Sequence, residues 1–191
     1  MSSLVLDRNN YARIAYSTND NWLKYRRQSG GTQWIGETID SEGSVGADCQ
    51  LKLDNNENPA VVYESNDTGD TLKYAVLAGA AWVKSYIDTN PKTGNGMALV
   101  YDNLNLPHVS YVSLIDTENQ FIKYATLTGT GTWAFQNIDI ADINSGRTAI
   151  SVDNSRMPHL CYFYKPTPET STLRYSRYLL IEETYKINGY V

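Results

Sequence analysis

Leu99-Val-Tyr-Asp102, Pro107-His-Val-Ser-Tyr111, Ile122-Lys-Tyr124, Trp133 and Ile138-Asp139 form the run that decides the fold, because the chain writes it four times. Leu4-Val-Leu-Asp7 with Ile14-Ala-Tyr16 opens the first copy and Leu51-Lys-Leu-Asp54 with Val61-Val-Tyr63 the second. Ile150-Ser-Val-Asp153 with Leu160-Cys-Tyr162 opens the fourth. The second block recurs as Leu23-Lys-Tyr25, Leu72-Lys-Tyr74 and Leu173-Arg-Tyr175, and the third as Trp34 with Ile39-Asp40 and Trp82 with Ile87-Asp88. The Asp positions lie 47, 48 and 51 residues apart, and each Asp has its Tyr nine residues later. Trp34, Trp82 and Trp133 each stand 20 residues before the next unit's Asp. Chance does not hold several spacings at once, so this is a tandem repeat, with units at about 3–49, 50–97, 98–148 and 149–191.

Within a unit the apolar residues alternate, as in Val61 with Tyr63 and Leu72 with Tyr74, which is the period of a strand with one buried face. The second unit divides into strands at 50–54, 60–64, 71–76 and 81–88, separated by turn clusters such as Asn55-Asn-Glu-Asn-Pro59. Only 178–186 carries a weak helical pattern, and it reads better as the last strand of the fourth unit. Four strands per unit of about 48 residues is the arithmetic of a β-propeller blade. The expected fold is all-β: one propeller domain over 1–191 built from four four-stranded antiparallel blades.

The unit resembles a bacterial propeller repeat of the form Leu-x-Leu-Asp, Pro-His-x-x-Tyr, Leu-Lys-Tyr, Trp and Ile-Asp, matched most closely by Pro107-His-Val-Ser-Tyr111 and Pro158-His-Leu-Cys-Tyr162. The layout is similar to lectin-like and sialidase-like propellers, without the Ser-x-Asp-x-Gly-x-Thr-Trp box of the sialidases. The resemblance implies an architecture; such folds serve as lectins, hydrolase scaffolds and docking platforms alike. In unit four, Tyr185 stands where the Trp would be, and Tyr190 where the Ile of Ile-Asp would fall. No strand is then shared between the first and last blades. The chain reads either as a closed four-bladed monomer, slightly favoured, or as half of an eight-bladed homodimer.

The 191 residues carry a net charge of −5, which argues against nucleic acid and anionic membrane as partners. No apolar run reaches the length of a membrane span, and no signal peptide is visible, so the expectation is a soluble chain of unassigned compartment. Two cysteines, Cys49 and Cys161, exclude a disulfide scaffold and a multi-cysteine zinc site.

Most recurring residues belong to the repeat rather than to a site. Asp7, Asp54, Asp102 and Asp153 each precede a turn whose backbone N–H groups an Asx carboxylate would accept. Asp54-Asn-Asn-Glu-Asn58 lacks the glycine and closing glutamate of a calcium loop. Lys24, Lys73, Lys123 and Arg174 read as stems packed on the neighbouring blade, with the charge meeting a repeat Asp or a Trp face. His108 and His159 share a slot with Arg13 and Ala60, which points to structure rather than catalysis. The repeat tryptophans are expected in the core. No cofactor, metal or catalytic residue is expected.

Length freedom is concentrated in the connections between second and third strands, where the Tyr-to-Tyr distance runs 9, 11, 13 and 13. In an up-and-down blade these connections share one face with the blade-to-blade links. The candidate ligand-binding residues are therefore Trp22, Asn66, Asp67, Asp116, Asn119, Phe121 and Arg147. Trp22 and Phe121 fill a slot that Thr71 and Thr172 fill elsewhere, so the repeat does not require an aromatic there. These features support a non-enzymatic binding propeller whose ligand is protein or glycan. A docking or assembly module comes first and a glycan-binding, lectin-like propeller is the alternative; a glycoside hydrolase ranks third, since no nucleophile or paired-carboxylate motif emerges.

Overall fold

The computed structural model describes residues 1–67, 69–90, 92–114, 119–142, 146–167, 170–177 and 187–190. Sixteen strands and no helix occur among them. The first sheet is β1 (Ser2–Leu6), β2 (Ala12–Ser17), β3 (Leu23–Gln28) and β4 (Trp34–Asp40). The second is β5 (Val45–Leu53), β6 (Pro59–Ser65), β7 (Thr71–Ala78) and β8 (Ala81–Asp88). The third is β9 (Thr93–Tyr101), β10 (Pro107–Leu114), β11 (Asn119–Leu127) and β12 (Trp133–Asp142). The fourth is β13 (Thr148–Val152), β14 (Pro158–Thr167), β15 (Thr170–Arg177) and β16 (Ile187–Tyr190). Every sheet is an antiparallel meander in chain order. The chain divides into two compact units, Met1–Gly94 and Asn95–Val191.

One turn closes the first hairpin of all four sheets. In the second sheet the Asp54 Oδ1 accepts the backbone N–H groups of Asn56 and Asn58, both at 2.8 Å. Asp7, Asp102 and Asp153 do the same for the residues two and four positions on. The fourth turn residue takes a positive φ each time: Asn10 62°, Glu57 68°, Asn105 64° and Arg156 66°. The carboxylate satisfies donors that this tight turn would leave open. The four aspartates are Asx-turn residues, as their spacing implied.

Ile-Asp at the end of the fourth strand has a second role. The pairing slips between Leu23 and Lys24, between Leu72 and Lys73, and between Ile122 and Lys123, so a β-bulge falls at each Ile-Asp. Consecutive residues of a regular strand face opposite sides. The bulge re-aims one of them, and Ile39 and Asp40 are both buried, as are Ile87 and Asp88. Ile39 and Ile138 enter the core, while Asp40 is turned towards the second sheet and Asp139 towards the fourth.

In the first unit the core is a layer between sheets. Ala15, Leu23, Tyr25 and Ile39 of the first sheet pack on Val45, Cys49, Leu51, Val61, Tyr63 and Ala75 of the second. Burial pushes the Cys49 thiol up to about 11. In the second unit Val112, Ile122, Tyr124 and Ile138 pack on Leu160 and Tyr162.

Two sequence readings need correction. The first strand of the second sheet begins at Val45 rather than at 50, because β5 runs through an irregularity between Val45 and Cys49. There Gly46 (φ +77°) lies where a Cβ would come within 2.7 Å of the Leu23 Cδ1. In the fourth sheet β16 pairs Tyr175 with Gly189, where the first sheet pairs Tyr25 with Glu37. The described part of the last strand is Ile187–Tyr190, and both Tyr185 and the 178–186 segment read as that strand lie outside the described residues. The tryptophans are not core residues either. Trp34 is 40% exposed and Trp82 and Trp133 are half-buried, since they stand at the start of the sheet's edge strand. Trp82 still sets its ring edge-on to Tyr25 at 5.3 Å and donates its Nε1–H to Glu37.

Candidate functional site

The repeat's polar residues come first, because they decide what is left for a ligand. Asp40 leaves the first sheet and enters the second. Its carboxylate accepts the Tyr63 hydroxyl at 2.8 Å, the Lys73 ammonium at 3.3 Å and the Lys84 ammonium at 2.9 Å. Burial works against that charge, but the Lys84 and Tyr63 hydrogen bonds hold the Asp40 carboxyl below the usual range. Asp139 does the same between the third and fourth sheets, accepting from the Tyr162 hydroxyl at 2.8 Å and from the Arg174 guanidinium. Lys73 and Arg174 thus meet a repeat aspartate of the preceding sheet. Lys24 stands over the Trp22 ring at 5.3 Å, and Lys123 lies over the Phe135 ring at 4.6 Å.

The two histidines stand at the starts of β10 and β14 and reach back to the turn aspartates. His108 Nε2 lies 3.3 Å from the Asp102 carboxylate and its Nδ1 lies 2.6 Å from the Tyr124 hydroxyl. His159 repeats the arrangement with Asp153 at 3.2 Å and Tyr175 at 2.6 Å. In the first sheet Arg13 takes the imidazole's place against Asp7 at 2.6 Å. His108 is fully buried, and burial pushes its pKa below the ordinary histidine value despite the Asp102 carboxylate beside it.

The variable connections of the first unit do come together. The Val45 N–H donates to the Asn21 carbonyl at 3.0 Å and the Asn66 N–H to the Ser44 carbonyl at 2.8 Å. Strand connections 18–22 and 66–70 and the inter-sheet link 41–44 are thereby tied into one rim, which continues where the Thr93 N–H donates to the Asp70 carbonyl at 2.7 Å. On this rim Trp22 is 40% exposed, and Asn19, Asp20, Asn21 and Asn66 are exposed. Asn21, in the left-handed region at φ 61°, closes its turn by donating to the Thr18 carbonyl.

Asp67 shares the rim, but its carboxylate already accepts from the Lys73 ammonium and from the Tyr86 hydroxyl at 2.8 Å. Burial opposes the charge, and these hydrogen bonds hold the carboxyl down at about 2. Asp67 braces the loop. In the second unit Phe121 is half-buried and faces Ile140 across the sheet, Arg147 is exposed, and Asn119 opens β11 opposite Asp142. Asp116 lies outside the described residues.

Sequence reading missed a polar cleft of about 180 Å³ on the outer face of the first sheet, lined by Tyr16, Lys24, Arg26, Gly36, Glu37 and Thr38. Arg26 donates to the Tyr16 hydroxyl there at 3.1 Å. The signal was present: Arg26 breaks a slot that holds Ala75, Ala125 and Ser176 in the other units. No helix of the described residues is long and apolar enough to cross a membrane.

No family model matches the chain, and no curated protein does. Solved structures resemble it in fold. AofleA from Arthrobotrys oligospora aligns over 100% of this chain and 57% of its own length, with a TM-score of 0.68 and 14% identity. An endo-1,4-beta-xylanase from Bacteroides thetaiotaomicron aligns over 100% of this chain and 75% of its own, with a TM-score of 0.59 and 12% identity. A polysaccharide lyase, an ulvan lyase, aligns over 98% and 57%, with a TM-score of 0.62 and 11% identity. The chain thus spans little more than half the length of two of these three. They place it among propeller-like all-β folds.

Proposed function

We propose that the chain is a non-enzymatic, propeller-type binding module whose ligand is a glycan, held at the loop rim of the first unit. The observation that carries this is an exposed indole, Trp22, that the repeat does not need, beside the exposed side chains of Asn19, Asp20, Asn21 and Asn66 on loops tied by backbone hydrogen bonds. A ring face takes the apolar side of a sugar, and carboxamides offer both a donor and an acceptor to hydroxyl pairs. A fixed rim loses little entropy on binding. Two neighbours in fold, the xylanase and the ulvan lyase, carry polysaccharide names, which supports a carbohydrate ligand over other hydroxyl-rich molecules. The bacterial propeller-repeat resemblance supports the same architecture. The acidic and histidine side chains that could have done hydrolytic chemistry, Asp40, Asp102, His108 and Asp139, are engaged in holding sheets and turns.

A glycan array probed with the labelled chain tests the reading. The expected result is binding to at least one oligosaccharide class, weakened tenfold or more by Trp22→Ala. An array without signal, or binding that ignores Trp22, overturns it. A second reading, docking of a protein surface, is favoured by the exposed apolar side chains of Leu4 on the first sheet and of Leu173 and Tyr175 on the fourth.

A further inference from the structure

Leu4, Ile14, Tyr16, Lys24 and Arg26 hold, on the first sheet, the repeat positions that Leu51, Val61, Tyr63, Lys73 and Ala75 hold on the second. On the second sheet these five are buried beneath the first, Leu51 to 1% exposure. On the first sheet Leu4 is 60% exposed, Arg26 is exposed, and Ile14, Tyr16 and Lys24 are only half-buried. The residue kinds suit a covered face, and no described residue of the first unit covers it. The cleft of about 180 Å³ lined by Tyr16, Lys24 and Arg26 occupies the place where the Asp40 carboxylate enters the second sheet.

The fourth sheet shows the complementary gap. Leu173 is 47% and Tyr175 37% exposed, although their counterparts Leu23 and Tyr25, and Ile122 and Tyr124, are buried beneath the next sheet. One uncovered face therefore repeats the receiving half of a contact made within each unit, and the other repeats the donating half. Contiguous apolar exposure of this sort marks an interaction surface.

We propose that the two faces meet across a second copy of this chain, with the Leu173/Tyr175 face of one copy stacked on the Leu4/Ile14/Tyr16 face of the other. A second copy is the occupant because it supplies both halves, whose repeat counterparts fit each other in the first-to-second and third-to-fourth contacts. Unlike faces make a heterologous contact, and a pair that uses both faces of both copies is the smallest assembly that closes. The inference is independent of the glycan reading, whose rim lies at the loop ends of the sheets.

Light scattering on the full chain at micromolar concentration tests it. The expected mass is twice 21.4 kDa. Leu4→Glu and Leu173→Glu change exposed residues, so each variant stays folded by circular dichroism and runs at the mass of one chain. Mixing the two variants restores the doubled mass, because one of the two contacts is then intact on both sides. Leu104→Glu, at a residue 62% exposed in the Asp102 turn, leaves the pair unchanged. A parent that runs at 21.4 kDa throughout, a pair that survives either substitution, or a mixture that does not recover overturns the proposal. Glycan binding retained by a monomeric parent would leave the proposed function standing while this inference fails.

Discussion

Asp40 and Asp139 make the same connection in different surroundings. The Asp40 side chain is fully buried and its carboxylate holds the Tyr63 hydroxyl and two ammonium groups, with the Glu42 N–H at 3.2 Å as a further donor. The Asp139 side chain is a quarter exposed and holds one hydroxyl and one guanidinium, with the Ile140 N–H at 2.9 Å as a further donor. Part of the difference lies in the second sheet, where Lys84, opposite Ala75, supplies the further ammonium. A charge pair sealed from water is strongly coupled and costly to break, while one that water reaches is screened. One motif thus yields a rigid joint in the first unit and a softer one in the second. Tyr16 and Lys24 are a third instance, with no carboxylate pairing with Lys24 among the described residues.

The largest expected effect comes from removing the buried carboxylate. Asp40→Ala strands the Tyr63 hydroxyl and leaves Lys73, itself buried, with Asp67 alone. Breaking a buried pair on one side costs about 3–5 kcal/mol. Asp139→Ala removes hydrogen bonds that water can partly replace, for a loss of about 1–2 kcal/mol. Urea denaturation of both variants measures the gap. Equal losses would show that burial is not what separates the two joints.

The tryptophans sharpen the contrast within one sheet contact. Trp82 is half-buried, lies edge-on to Tyr25 and bonds Glu37 of the first sheet, so Trp82→Ala should cost about 2 kcal/mol, below the range for a fully buried ring. Trp34, in the same repeat slot but 40% exposed, should lose under about 1 kcal/mol on the same change. A reversed order by thermal melting would mean that Trp34 is covered in solution.

The repeat made the strand count, the meander and the Asx turns legible in the sequence, since each depends on residues a few positions apart. The aspartate-to-lysine contacts were legible in kind, because a charged residue recurring mid-strand needs a partner. Which aspartate it meets was not, because the β-bulge that turns Asp40 across the sheet leaves no mark beyond Ile-Asp itself. The exposure of Trp34 and the half-burial of Trp82 depend on which strand is the edge, a tertiary fact. Trp22 was singled out because the repeat does not require an aromatic in its slot, and Asn66 because it lies in a length-variable loop. Asp67 was chosen with Asn66 from the same variable loop, but its engagement with Lys73 and Tyr86 spans strands that loop reading treats separately.

The two Asp–His–Tyr sets allow a pH comparison. His108 sits neutral in a buried site, and its folded pKa lies below the ordinary value of about 6.5. The unfolded chain then binds the extra proton, so stability is present above about pH 6.5 and is lost as pH falls from there towards the folded pKa. Replacing His108 with Gln should flatten that slope in urea midpoints taken from neutral to mildly acidic pH. A slope unchanged by the substitution would assign the acid sensitivity to another group.

The smallest effect is expected at Lys24, and it bears on whether the outer face is open. Lys73 and Lys24 fill the same repeat slot, the first on Asp40 and Asp67, the second on the Trp22 ring. In the Leu173→Glu background, where the stacking surface for a second copy is removed, Lys24→Ala gives up only a partly solvated cation–π contact, about 0.5 kcal/mol. Lys73→Ala in that background uncovers two carboxylates, one of them fully buried, and should cost several times as much, about 3 kcal/mol. Denaturant midpoints of the two double variants give the ratio. If Lys24→Ala proved as costly as Lys73→Ala there, a carboxylate from the chain itself would have to reach the outer face in solution, and the cleft beside Tyr16 would not be open.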